Sequence, residues 1–151
     1  MLEHHFWENF RKWVSHPEVD EVYDVEEIGF QEDGFAVLLR PDHFQEEKRS
    51  ERALRLVWDR IVSYTVTDES YRPELWVSEK TPGWALWTFY LSETSDHLTK
   101  FREENYIVPE ETHHFFIGGT NLMADILSDE YPTVTFIKRD TELQKCTNVQ
   151  R

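Results

Sequence analysis

The chain has 151 residues and carries 30 acidic against 16 basic side chains, a formal net charge of −14. One domain with its own core fits that length. The shortage of Lys and Arg argues against nucleic acid and anionic membrane surfaces as partners, because cationic side chains hold both. The apolar share is 39%, but 10 Phe, 6 Tyr and 6 Trp supply large buried surface, about 150–250 Å² per ring.

Along the chain, Leu2, Phe6, Phe10 and Trp13 fall at helical spacing and predict an N-terminal helix over 2–13, ended by Pro17. Residues 18–33 hold eight acids and no base, interleaved with Val19, Val22, Tyr23, Val25, Ile28 and Phe30. That mixture suits an irregular or edge strand with a solvated face. Asp33-Gly34 is a hairpin signal, and Phe35–Leu39 reads as a strand buried on both faces. Residues 42–52 are charged and read as a loop or short exposed helix. Leu54, Leu56, Trp58, Val62, Tyr64 and Val66 then alternate with polar residues. This predicts one long strand with a bulge or bend near Asp59-Arg60.

Further on, a short strand is expected at Leu75–Val77 and a central one at Trp84–Leu91. Ser95 is placed to cap a helix that starts at Asp96, buries Leu98 and Phe101, and ends near Asn105. His113–Ile117, Leu122–Leu127 and Thr133–Ile137 read as strands, with Gly118-Gly119 as a turn. The expectation is one α+β domain over 1–138. It has a mostly antiparallel twisted sheet of about six or seven strands, an N-terminal helix and a second helix near 95–105. Residues 139–151 read as a flexible tail. No apolar run is long enough for a membrane span or a signal sequence. The sole cysteine, Cys146, makes no internal disulfide. A cytoplasmic protein is expected.

Motifs that would carry chemistry are few. His113-His114 and His4-His5 are adjacent pairs whose side chains diverge, so no metal site is expected. No phosphate loop, nucleophile elbow or cofactor motif occurs, so no catalytic residue and no cofactor are assigned. Asp68, Glu69, Ser70, Tyr71 and Arg72 follow a strand, and could anchor a ligand with His113 or His114 and Trp76. The plainer reading is a turn, with Asp68 and Ser70 capping the backbone and Glu69 pairing with Arg72. Glu18, Asp20, Glu21, Asp24, Glu26 and Glu27 form a candidate acidic interaction surface, joined by acids at 42–51.

The run Ile61–Ser70, the pair of segments Trp87–Leu91 and Ser95–Leu98, His113–Ile117, and Ala124–Leu127 with Pro132 resemble small, acidic, uncharacterised bacterial proteins. Some of those are similar to immunity proteins of polymorphic toxin systems. The resemblance spans roughly residues 54–137 and implies a toxin-neutralising or other protein-binding role, without transferring a catalytic residue. Three readings follow. The first is an acidic protein-binding module that occludes a basic partner. The second is a small-molecule binder or hydrolase built on the Asp68–Arg72 loop with His113 or His114. The third is self-assembly into a homodimer through an exposed strand edge or aromatic patch.

Overall fold

The computed structural model describes residues 9–20, 22–41, 52–68, 70 and 87–138. Within them lie β1 (Arg11–Lys12), β2 (Tyr23–Gln31), β3 (Gly34–Pro41), β4 (Arg52–Trp58), β5 (Ser63–Asp68), β6 (Phe89–Ser92), α1 (Asp96–Glu104), β7 (His113–Gly118), β8 (Leu122–Ser128) and β9 (Thr133–Lys138). All pairings are antiparallel. Five strands form one sheet in the order β1-β6-β7-β8-β5, and four form a second in the order β2-β3-β4-β9.

The expected α+β class is therefore corrected to a predominantly antiparallel β fold in two sheets, with one helix among the described residues. Two local reasons account for this. The run from Leu54 to Val66 is two strands in different sheets, β4 and β5, broken at Asp59–Val62. Alternation persists across the break because each half faces the same core. The second reason is the N-terminal pattern. Arg11 and Lys12 pair with Leu91 and Tyr90, and Trp13 N–H donates to Phe89 O at 3.0 Å. Strand pairing thus overrides helical spacing at residues 11–13, and residues 1–8 lie outside the described set.

Rings join the two sheets. Trp58 of β4 meets Phe115 of β7 at 5.3 Å, Tyr23 of β2 meets Phe89 of β6 at 5.6 Å, and Phe35 of β3 meets Tyr64 of β5 at 4.7 Å. Tilted and edge-on contacts of this kind add about 0.5–1.5 kcal/mol per pair beyond area burial. At β7 and β8 the opposite face of the five-stranded sheet is also buried, which explains why β7 is apolar at consecutive positions. There Phe10 packs on Phe116 and His114, and Leu98 of α1 is buried. Ser95 caps α1 as expected, accepting from Leu98 N–H at 3.1 Å, and Asn105 closes the helix. Short strands at Leu75–Val77 and the start of Trp84–Leu91 fall outside the described residues; β6 begins at Phe89.

The Asp33-Gly34 turn is tightly specified. Gly34 has φ of +136°, and a Cβ there would lie 2.2 Å from Trp58 O. Gly34→Ala is expected to cost more than about 2 kcal/mol. A lower urea midpoint at unchanged slope checks this; an unshifted midpoint would refute it.

Burial also raises two phenols. Tyr23, whose oxygen accepts from Asp20 N–H at 2.9 Å, is pushed up to about 12, chiefly by desolvation. Desolvation raises Tyr90 likewise. Both would ionise near 10 in the unfolded chain. Above that pH the unfolded state holds fewer protons, so stability present below 10 is lost as pH rises toward 12. The urea midpoint is expected to fall between about pH 9 and pH 11, less steeply in Tyr23→Phe. Identical slopes in the two proteins would contradict this role for Tyr23.

Candidate functional site

The acidic segment 18–33 lies mostly on β2, an edge strand with a register shift between Val25 and Glu27. Its acids meet arginines from neighbouring strands. Glu18 pairs with Arg52 at 3.3 Å, and Glu26 pairs with Arg40. Asp33 accepts from both terminal nitrogens of Arg55, at 2.7 and 2.9 Å. That double hydrogen bond holds the Asp33 carboxyl below the usual carboxylate range and raises Arg55. Asp24 stands opposite Arg40 in the ladder, and Glu27 adds to the field on Arg55. Asp20 is fixed by its N–H bond to Tyr23. Glu21 and residues 42–51 lie outside the described set. Exposed pairs of this kind add little to stability, because water screens them. Their clearer effect is to offset local charge and to blunt an edge against pairing.

Asp68 ends β5 and forms a turn: its Oδ1 accepts from Ser70 N–H at 2.9 Å and from Ser70 Oγ–H at 2.7 Å. These bonds lower the Asp68 carboxyl. Glu69, Tyr71, Arg72 and Trp76 lie outside the described residues. Asp68 stands opposite Leu122, whereas His114 stands opposite Leu127, which pairs with Ser63 at the far end of β5. The two are separated along the strands by five residues, about 16 Å. Their side chains also lie on opposite faces. The fold does not bring Asp68 and His114 together.

His113 and His114 diverge, as neighbours on a strand must. His113 Nδ1 lies 3.2 Å from Glu93 Oε1, and its ring lies 5.1 Å from Tyr131. Glu93 also takes two bonds from Arg11, at 2.6 and 2.7 Å, and the Arg11 bonds, more than His113, lower its carboxyl. His114 is buried: Nδ1 lies 2.7 Å from Ser95 Oγ and Nε2 lies 2.7 Å from Asp125 Oδ1. With Asp125 ionised, a neutral His114 satisfies every atom in this chain of bonds. Nε2–H donates to Asp125, Ser95 Oγ–H donates to Nδ1, and Ser95 Oγ accepts from Leu98 N–H.

Ser, His and Asp within reach of one another invite a nucleophilic reading. Here the serine is buried and its oxygen already caps α1. Serine bonds to Nδ1 and aspartate to Nε2. The set therefore acts as a clamp that ties α1 to β7 and β8. Its missed member is Asp125, and the signal was a lone acid inside the apolar run Leu122–Leu127. No cluster of three or more potential metal ligands occurs among the described residues.

A second feature escaped sequence reading altogether. Between α1 and β7, Tyr106 is 107% and Ile107 92% exposed. Exposed Glu103, Glu104, Glu110 and Glu111 flank them. The loop is built rather than loose. Asn105 Nδ2 donates to Phe101 O at 2.9 Å, and Arg102 donates to Glu110 O at 3.0 Å. Thr112 donates to Pro109 O through N–H at 3.1 Å and through Oγ at 2.7 Å. A firm turn thus presents two adjacent apolar side chains inside an acidic rim. The signal was an apolar pair between a helix C-cap and a proline, among glutamates.

No family model, curated protein or solved structure matches this chain. No helix among the described residues is long and apolar enough to cross a membrane.

The clamp has a direct consequence. His114→Leu removes the imidazole from both Ser95 and the buried Asp125 and is expected to cost about 1–3 kcal/mol. Ser95→Ala is expected to cost about 1 kcal/mol or more through the lost cap. Because the two share a bond, the double variant should cost less than the sum, by about 0.5–3 kcal/mol. Strict additivity in urea unfolding would show that the serine and histidine act independently.

Proposed function

We propose that the chain is an acidic protein-binding module whose contact surface centres on Tyr106 and Ile107. The observation that carries this reading is the full exposure of both side chains on a hydrogen-bonded turn rimmed by four glutamates. Exposed apolar pairs lower the free energy when a partner covers them, and tyrosine is a frequent interface anchor. The fitting partner offers an apolar hollow edged with Lys or Arg. The net charge of −14 steers such a partner at long range.

Acids at Glu18, Glu26 and Asp33 contribute to that field, not as free contact groups, since each already has an arginine. An immunity-like role, in which the module blocks a basic protein by covering it, is the form of this proposal that the sequence resemblance suggests.

Panning a random displayed peptide library on the immobilised chain tests the proposal, with Tyr106→Ser/Ile107→Ser as counter-target. Retained peptides should be rich in Lys, Arg and apolar residues. They should bind the double variant at least about tenfold more weakly and lose affinity as salt rises. Peptides that bind both proteins equally, or ignore salt, would overturn it.

A further inference from the structure

We infer that a second copy of this chain pairs with β5, joining two five-stranded sheets into one continuous sheet across a two-fold axis at Thr65. The four sheet edges among the described residues differ in their protection. β1 is only two residues long, and its Arg11 is tied to Glu93. β2 is bulged and laced with acids and arginines. β9 ends on Lys138, as β5 ends on Asp68, but it also follows Pro132, and Arg52 of β4 lies over its Phe136. Short strands, bulges, charge and proline are the usual means of blocking edge pairing. From Ser63 to Thr67, β5 has none of them: the segment is Ser-Tyr-Thr-Val-Thr, without bulge, proline or charge. Tyr64, Thr65 and Val66 are exposed in succession, so both faces of the strand are open.

The segment is also complementary to itself. An antiparallel pair about Thr65 sets Thr65 against Thr65, Ser63 against Thr67, and Tyr64 against Val66. Thr–Thr and aromatic–β-branched pairs are favourable cross-strand neighbours. Tyr64 and Val66 are 43% and 40% exposed, and Phe30, 67% exposed, lies 6.0 Å from Tyr64. The dyad would bring two such apolar patches together and cover them. Asp68 falls outside the paired residues, at the Val62 end of the other copy. There it lies two residues from Arg60, which already pairs with Asp129 and Glu130. The alternative dyad at Val66 would instead set Asp68 against Tyr64. Cross-strand pairing therefore favours Thr65.

Two copies each bearing −14 repel one another at a distance, so added salt should strengthen the dimer. This is the opposite of the salt response of a basic partner. Sedimentation velocity of the full chain from about 1 to 200 µM, at about 0.05 and 0.5 M NaCl, reads both effects. The expected result is a monomer–dimer equilibrium whose dissociation constant falls several-fold in the higher salt. Thr65→Glu, which sets like charges opposite each other, should stay monomeric with an unchanged urea midpoint. Should that variant fail to fold, Thr65→Cys/Cys146→Ser decides: mild oxidation should link it as a dimer, while Cys146→Ser alone stays unlinked. A monomer under every condition would overturn the inference and leave β5 to an extended segment of another protein. A dimer that survives Thr65→Glu, or a Thr65→Cys variant that does not cross-link, would place any self-contact elsewhere and overturn it too.

Discussion

The contact between Trp58 and Phe115 is the hinge of this architecture. It joins the centre of one sheet to the centre of the other at 5.3 Å, with Phe35, Tyr23, Phe89 and Tyr64 meeting around it. Rings can sustain such a core in a chain whose apolar share is low, because each removes a large area from water. Filling the layer with rings also has a cost. Trp58 Nε1–H is buried without a hydrogen-bond partner among the described residues, a penalty on the order of 1–3 kcal/mol. The packing around the indole must outweigh that penalty for Trp58 to hold this position.

Stacking two open sheets rather than closing one leaves edges, and the edges decide where charge is placed. The densest acidic segment of the chain is wrapped along β2, where Arg40, Arg52 and Arg55 reach across from the adjoining strands. Seen this way, much of the acidity in the first third protects a strand that would otherwise recruit another. The rest acts through space. Paired carboxylates still add to a strongly negative total, but they give a partner few unoccupied oxygens at close range. An acidic chain can therefore attract a basic protein without its most acidic segment being the point of contact.

What the sequence disclosed follows the range of the interaction involved. Ser95 with Asp96, Asp33-Gly34, and the runs at His113, Leu122 and Thr133 are local signals, and the helix, turn and strands they predict are present. The errors arise where a distant partner decides. From Leu54 to Val66 the alternation keeps its phase past Arg60, its one exception, and nothing in that spacing shows that Leu54 and Tyr64 belong to different sheets. Phe10 and Trp13 keep helical spacing, yet β6 captures the chain between them as a strand. His114 drew notice as one of a histidine pair, while its true companions lie 19 and 11 residues away, at Ser95 and Asp125. Tyr106 and Ile107 have no periodic pattern around them, and only the three-dimensional course of the loop shows that they are uncovered.

The clamp and the exposed turn belong to one mechanical unit. His114 holds Ser95, Ser95 holds the first turn of α1, and α1 ends at the turn that carries Tyr106 and Ile107. The far end of that turn is held in its own right by Arg102 on Glu110 and by Thr112 on Pro109, one residue before β7 returns to His113. Both ends of the projecting pair are therefore anchored to the same strand. Apolar side chains on a loose loop would lose conformational freedom on binding, which subtracts from affinity. Anchoring both ends removes most of that loss in advance. A buried polar triad whose serine caps the helix holds that helix still, so that the residues beyond it face water in a fixed arrangement.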